Sequence, residues 1–181
     1  MGMGERMGGG TGDLIRKTSF PPVVDRDTRV LILGSLPGDA SLRAARYYAH
    51  PQNQFWRLLS PVVGIDLPPL PYPDRLTALQ AAGIGLWDVV ASATRPGSSD
   101  AAIRDAAAND IATLIRELPV LRLVAFNGGT AWKHGRTMVG DTPSVMLPSS
   151  SPLHTIGVAA KQPAWDAIGS YLNDRIGMVR D

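Results

Sequence analysis

The sequence predicts an α/β fold of three layers (α/β/α), in which helices cover both faces of a central four-stranded parallel sheet. Short, continuous apolar runs such as residues 30–33 (VLIL) are typical of strands that are buried on both faces. Helical patterns separate these runs, and an alternation of strands and helices favours parallel pairing. The length of 181 residues suits one domain. We therefore expect one sheet whose strands all end at the same edge.

Each predicted element has a local signal in the sequence. The strands are expected over residues 29–34, 84–90, 120–126 and 144–147. The helices are expected over residues 39–46, 53–63, 74–82 and 99–118, from 129 to about 138, and from 163 to about 176. Gly83 closes the third helix, Pro61 is expected to bend or end the second, and Ser99 or Asp100 caps the fourth. Residues 1–27 are expected to be a flexible, glycine-rich tail before one domain over residues 28–181, and the proline-rich stretch 66–74 a surface loop.

The composition excludes several classes of protein. The chain has no cysteine, which rules out disulfides, cysteine-bound zinc and iron–sulfur clusters. No apolar run reaches the length of a membrane span, and the amino-terminal segment lacks the apolar core of a secretory signal. The net charge of +2 is compatible with a polyanionic partner without requiring one. We expect a protein of the bacterial cytoplasm or nucleoid.

The most informative segment of the chain is residues 30–56, in which a buried strand runs into aromatic and polar side chains. The strand ends at the turn GSLPG, and the segment YYAHPQNQFW follows it. Polar residues also follow the other predicted strands, at Asp88, Asn127 and residues 149–154. Ligands of open α/β sheets bind at the carboxyl ends of strands, so these groups are expected to meet in one crevice. Flat aromatic faces beside amides suit a planar, hydrogen-bonding ligand such as a nucleobase.

The order of the motifs GSLPG, YYAHPQNQFW, FNGG and LPSSSPLH resembles that of the uracil-DNA glycosylase superfamily, and most of all its hypoxanthine-DNA glycosylase (DNA-deoxyinosine glycosylase) branch. The likeness runs from about residue 29 to residue 165. It implies an enzyme that flips a deaminated base, hypoxanthine or also uracil or xanthine, out of DNA and hydrolyses its N-glycosidic bond in base excision repair. It further implies a monomer that binds DNA containing such a base and needs no cofactor.

The resemblance also implies roles for residues that contact the base. In mismatch-specific relatives a catalytic asparagine precedes the proline of the first motif, but Leu36 stands there in this chain and cannot orient a water. In the hypoxanthine branch the asparagine of the HPxNxFW segment serves instead, and this residue is Asn53. The stacking aromatic falls on Tyr48, and a second base-contacting asparagine falls on Asn127.

Residues outside the base pocket are expected to hold the DNA. The serines of the loop 149–154 (Ser149, Ser150 and Ser151) are expected to bind the flanking phosphates, and Leu153 is expected to wedge into the duplex. His154 is expected to touch a phosphate or the widowed base, and Arg95 to contact DNA from its loop.

The expected chemistry needs few groups. An oxocarbenium-like sugar reacts even with a weak nucleophile. An Asn53 amide that only positions a water molecule is therefore sufficient for hydrolysis. The departing purine gains negative charge and needs a hydrogen-bond donor. We expect this donor to be the Asn127 amide or a backbone N–H near Ser35 and Leu36. The lysines, Lys17, Lys133 and Lys161, lie outside the motifs, so we expect a monofunctional enzyme without lyase activity.

Other interpretations remain open for the same residues. Tyr48 is equally suited to a core, Asn53 to a helix cap, and Asn127 to a turn. His50 is expected to fix its loop by hydrogen bonding rather than bind a metal, and Asp88 is either a site carboxylate or a loop anchor.

Three other functions compete with a glycosylase. A non-catalytic DNA- or base-binding module on the same scaffold is the main alternative, because Leu36 replaces the asparagine. A serine hydrolase is disfavoured because the GxSxG elbow is missing. A phosphate-loop enzyme is disfavoured because the segment GSLPGDAS lacks the Gly-Lys-Ser/Thr ending.

Overall fold

A four-stranded parallel sheet lies at the centre of the computed structural model, which describes residues 15–173. The strands are β1 (Arg16–Thr18), β2 (Val30–Gly34), β3 (Ile84–Asp88), β4 (Val90–Thr94), β5 (Arg104–Ala108), β6 (Leu123–Asn127) and β7 (Ser144–Leu147). The α-helices are α1 (Asp39–Ala44), α2 (Phe55–Val63), α3 (Tyr72–Ala82), α4 (Ile111–Arg116), α5 (Gly129–Gly135) and α6 (Val158–Asp166). Short 3₁₀ helices cover residues 100–102, 136–138 and 167–171. The order in the central sheet is β3-β2-β6-β7, and the predicted fold class is confirmed.

The two faces of the central sheet are covered by different helices, which produces the three layers. Val30 and Ile32 of β2 belong to a core that includes residues of α2, α3 and α6. Leu31 and Leu33, which point the other way, pack in a second core with residues of α4 and α5. Because every residue of β2 is buried, the strand reads as an unbroken apolar run rather than an alternating one.

The predicted helix over residues 99–118 is wrong. A single 3₁₀ turn is followed by β5, which pairs antiparallel with β4, and only then by α4. The true start of this helix is marked by Asp110, whose carboxylate accepts a hydrogen bond from the Thr113 N–H at 3.1 Å. The alanines of β5 have a high helix propensity, but pairing with β4 overrides it.

A second, three-stranded sheet with the order β1-β4-β5 was not predicted. It includes residues that were assigned to the tail, because Arg16 to Thr18 pair with β4. Val23, also assigned to the tail, forms a bridge with Leu86 of β3 in the central sheet. The predicted tail is therefore too long at its carboxyl end, and residues 1–14 lie outside the described residues.

Other boundaries also differ from the predictions. Helix α2 passes through Pro61 and ends at Gly64, whose φ of +73° is easily adopted only by glycine. Helix α3 begins at Tyr72 rather than at residue 74, and it ends at Gly83 as predicted. Helix α6 begins five residues before Pro163, and the predicted end of the last helix near residue 176 lies outside the described residues. Within residues 15–173 no helix is long and apolar enough to span a bilayer.

Candidate active site

The carboxyl ends of β2, β3 and β6 open into a cavity of about 470 Å³, which we call the slot. A cavity of this size is typical of small-molecule sites. The structure places almost all the predicted site residues along it: Ser35, Leu36, Tyr48, His50, Asn53, Asp88, Asn127, Ser149, Ser150, Ser151, Leu153 and His154. Arg95 is the exception, and residues 98–101 line the slot without having been predicted.

Tyr48 provides a fixed aromatic wall. Its ring stacks on Phe55 with the centroids 3.7 Å apart and the planes at 12°. Its carbonyl accepts a hydrogen bond from the Trp56 indole N–H at 3.2 Å. The backbone of Tyr48 has a φ of +53°, a strained conformation for a non-glycine residue and one that often marks functional sites. Because Phe55 covers one face of the ring, a ligand has to stack on the opposite face.

Asn53 lies at the start of α2 and also lines the slot. Its Oδ1 accepts a hydrogen bond from the Phe55 N–H at 3.0 Å, but the N-cap residue of α2 is Gln54, so Asn53 fixes the turn before the helix rather than capping it. This contact uses one lone pair of Oδ1 and fixes the amide at the cavity wall. Nearby, His50 Nδ1 accepts from the Gln52 N–H at 3.1 Å, which holds the preceding turn in the way expected for that histidine.

Asn127 is already engaged within the protein. Its Oδ1 accepts a hydrogen bond from the Ser150 N–H, and its Nδ2 donates to Ser150 Oγ, both at 2.9 Å. The same Nδ2 also donates to the Tyr48 hydroxyl at 3.3 Å. The structure therefore argues against the expectation that this amide donates to the base, because both of its hydrogens have partners. Asn127 instead joins the serine loop to the aromatic wall.

Two glycines allow the walls of the slot to approach each other. A Cβ on Gly34 would lie 2.6 Å from Asp88 Oδ1 and 3.0 Å from the Tyr48 hydroxyl, so β2 can end there only with glycine. A Cβ on Gly128 would lie 3.0 Å from the Cβ of Ser149, and this residue has a φ of +98°. These close approaches explain the first glycine of the GSLPG motif and the first glycine of the FNGG motif.

Asp88 is buried at the end of β3, with 3% of its surface exposed. Burial, and to a lesser extent the negative charge of Asp100, raise the pKa of Asp88 to about 7. The positive charge of Arg95 opposes this shift. Among residues 15–173, no donor or acceptor makes a hydrogen bond to its Oδ2. Asp88 thus lines the slot, and its predicted role as a site carboxylate stays a prediction.

The structure argues against a direct contact between Arg95 and DNA. Arg95 is 2% exposed, and its guanidinium donates to the carbonyls of Leu36, Pro37 and Gly97. It also lies 3.8 Å from Asp100, which in turn accepts a 2.7 Å hydrogen bond from Ser35 Oγ. The role of Arg95 is to hold the first motif against the loop over residues 97–100.

The sequence analysis missed the roles of Asp100 in the slot and of Lys161 behind the serine loop. Asp100 lines the slot but was interpreted as a helix cap, and nothing in its local sequence distinguishes the two. Lys161 is fully buried, and its ammonium donates to Gln54 Oε1 at 2.9 Å and to the Ser151 carbonyl at 3.3 Å. It thereby ties the start of α2 to the serine loop. The Gln54 N–H reinforces this link by donating to the Ser150 carbonyl at 3.0 Å.

The serine loop presents an apolar side chain at the mouth of the slot. Ser149 Oγ accepts from the Ser151 N–H, and Ser151 Oγ accepts from the Leu153 N–H, which folds the loop into consecutive turns. Leu153 is 69% exposed, and His154 beside it is also exposed. A large exposed leucine next to a polar cavity is suited to contact another molecule.

The fold and the slot together define an α/β protein built to hold a planar, hydrogen-bonding group against Tyr48. Comparison with known proteins makes this assignment specific, because the family model of the uracil DNA glycosylase superfamily matches residues 21–169. The chain belongs to this superfamily, and it is a DNA glycosylase.

Two curated relatives and one solved structure support this assignment. The chain is 40% identical over 153 residues to a hypoxanthine DNA glycosylase of Methanosarcina barkeri, an alignment that covers 83% of this chain and 96% of the relative. It is 39% identical over 153 residues to the protein of that name from Methanosarcina acetivorans, which covers 84% and 97%. A solution NMR structure of a candidate uracil DNA glycosylase from M. acetivorans superposes with a TM-score of 0.80 at 38% identity, covering 87% of this chain and 99% of the other.

Proposed function

We propose that this DNA glycosylase removes hypoxanthine from DNA, with uracil and xanthine as further candidate substrates, and so starts base excision repair in the bacterial cytoplasm. The observation that carries the proposal is that Tyr48 and Asn53 line the same slot at the strand ends. The names of both Methanosarcina relatives support hypoxanthine as the first substrate to test.

The geometry supports a sequence of steps that begins with base flipping. Extruding a base from the duplex costs a few kcal/mol, and stacking on an aromatic ring returns about 1–3 kcal/mol. Tyr48 lines the slot and Phe55 stacks on one face of its ring, so the opposite face is the proposed stacking surface. Leu153 at the mouth of the slot fills the gap left in the duplex, and the serine loop binds the flanking phosphates.

The hydrolytic step uses Asn53 to position a water. The amide is fixed by the Phe55 N–H and lines the slot, so its remaining lone pair is available to a water molecule. An oxocarbenium-like sugar needs a correctly placed water more than a strong base. The product is an abasic site and a free base. Borohydride trapping of an enzyme–DNA adduct would contradict this monofunctional mechanism.

The test is base release from a panel of duplexes that carry one inosine, uracil or xanthine, with the abasic product revealed by alkali. The wild-type protein is expected to release hypoxanthine. It is also expected to be a monomer in solution. Asn53→Ala is expected to lower the single-turnover rate by about 100-fold, because the water is no longer positioned. Asn173→Ala, which changes an exposed asparagine that does not line the slot, is the matched control.

Two outcomes would contradict the proposal. Full turnover by Asn53→Ala would show that another group positions the water. Tight binding of inosine duplexes without release of any base would favour a non-catalytic binding module, the alternative suggested by Leu36 in place of the asparagine.

A further inference from the structure

Cleavage of a purine glycosidic bond needs a hydrogen-bond or proton donor for the departing base, and with Asn127 engaged elsewhere the remaining candidates in the slot are the backbone N–H groups near Ser35 and Leu36 and the carboxyl of Asp88. Both hydrogens of the Asn127 Nδ2 are used by Ser150 and Tyr48. We infer that Asp88, as a neutral carboxylic acid, donates its proton to N7 of the departing hypoxanthine. This inference rests on the proposed function and assigns a second catalytic residue to the same slot.

The position of Asp88 carries the inference. Asp88 lines the slot at the end of β3 and is almost fully buried. Its Oδ2 makes no hydrogen bond to the described residues, although leaving a buried polar atom unpaired costs about 1–3 kcal/mol. Such a cost is accepted mainly at functional sites, where a ligand completes the hydrogen bond. Gly34 keeps the space beside the carboxyl clear, because any larger residue would collide with Oδ1.

The surroundings of Asp88 raise its pKa to about 7, so the protonated form predominates below that pH. Burial is the main cause of its raised pKa, and Asp100 adds to the shift while Arg95 opposes it. Tyr47 and Tyr48 also face Asp88, and burial raises the pKa of both phenols, so they stay neutral. Burial also raises the pKa of Asp100, but the hydrogen bond from Ser35, which Asp88 lacks, and the charge of Arg95 oppose that shift. Two carboxyls with different partners in one cavity are a common arrangement for an acid and a charge-bearing neighbour.

The proposed step balances in atoms and electrons. The C1′–N9 bond breaks and its electron pair enters the purine ring, while N7 takes the proton from Asp88. This leaves a neutral hypoxanthine and an Asp88 carboxylate. The water positioned by Asn53 adds to C1′, and the proton that this water loses restores the Asp88 acid. N7 is the expected acceptor because it is the basic nitrogen of the five-membered ring in which N9 gains charge.

The first test is the pH dependence of single-turnover excision from an inosine duplex. The wild-type rate is expected to be level below pH 7 and to fall about tenfold per pH unit above it, as the acid loses its proton. Asp88→Asn is expected to lower the single-turnover rate by about 100-fold or more at pH 6. Its pH profile is expected to lack the falling limb, that is, the decrease in rate above pH 7. Asp100→Asn is expected to keep the limb but to move it to lower pH, because Asp100 raises the pKa of Asp88. Asp141→Asn, at an exposed site that does not line the slot, is the control for the substitution itself.

The second test uses the wild-type protein alone and so does not depend on whether a variant folds. In 7-deaza-2′-deoxyinosine a carbon replaces N7, so proton donation is impossible there. Excision of this base is expected to be at least 100-fold slower than that of hypoxanthine, without a limb near pH 7. Excision of the two bases at equal rates with the same limb would overturn the inference.

The outcomes separate this inference from the proposed function. Absence of base release at every pH would overturn the proposed function and the inference together. Hypoxanthine release with a flat pH profile, or with an unchanged limb in Asp88→Asn, would overturn only the role of Asp88. Loss of the limb in Asp88→Asn together with its loss on the 7-deaza substrate would support proton donation to N7.

Discussion

Replacing Asp88 by asparagine is expected to change the pH dependence of stability, whether or not the protein is assayed as an enzyme. The pKa of this carboxyl rises from 3.8 to about 7 on folding, because burial disfavours the charged form. The folded state therefore binds the proton more tightly than the unfolded state. Asp88 then lowers the free energy of unfolding progressively as the pH rises from about 4 to about 7, and its full cost is present above that range.

The size of this effect follows from the two pKa values. One pKa unit corresponds to about 1.4 kcal/mol, so a shift from 3.8 to about 7 amounts to at most about 4 kcal/mol. Between pH 5 and pH 8 the linkage relation gives a loss of about 3 kcal/mol in the wild type. Asp88→Asn has no such ionisation and is expected to lack this loss. The stability of the variant relative to wild type should therefore rise by up to about 3 kcal/mol over that interval.

The assay is urea-induced unfolding of both proteins at several pH values from 5 to 8, followed by tryptophan fluorescence. Contributions from histidines and exposed carboxylates are common to both proteins and cancel in the difference. Asp141→Asn is again the matched control for the substitution itself. If the Asp88→Asn difference were constant over this range, Asp88 would be ionised at pH 5, and the argument from burial would be refuted.

Two further substitutions test the mouth and the floor of the slot. Leu153→Ala should leave the free energy of unfolding unchanged, since the side chain is 69% exposed, but should slow excision from duplex DNA by about tenfold relative to single-stranded DNA. Equal slowing on both substrates would exclude a wedge. Gly34→Ala should destabilise the fold by about 1–3 kcal/mol, because the new methyl group would lie 2.6 Å from Asp88 Oδ1, and chemical denaturation at pH 7 would detect it. An unchanged unfolding midpoint would contradict this steric argument.

The central sheet was predictable because its signal is local. Its two inner strands, β2 and β6, are short runs of buried, mainly apolar residues, and polar residues follow where each run ends. The pairing of β4 with β5 was not predictable in the same way. The alanines at 106–108 favour a helix when considered alone, and only contact with β4 makes them a strand.

The candidate site shows the same division between local and non-local information. The motifs indicated which residues gather at the slot, because strand ends meet at one edge. They did not indicate which polar groups would already be bonded within the protein. Arg95 was expected at the surface, but it is buried because its guanidinium donates hydrogen bonds to the carbonyls of Leu36 and Pro37, which are far away in sequence. The amide of Asn127 is likewise committed to Ser150, a residue 23 positions later.

The stack of Tyr48 on Phe55 connects the surface that receives the base to the interior of the protein. Phe55 is fully buried and contacts the ring of Trp165 in α6 edge-on, with the centroids 5.8 Å apart. A packing defect introduced beneath the sheet would thus tilt the tyrosine without any change at the surface. In this enzyme, substitutions in the hydrophobic interior of the α2–α6 layer should alter turnover as well as thermal tolerance.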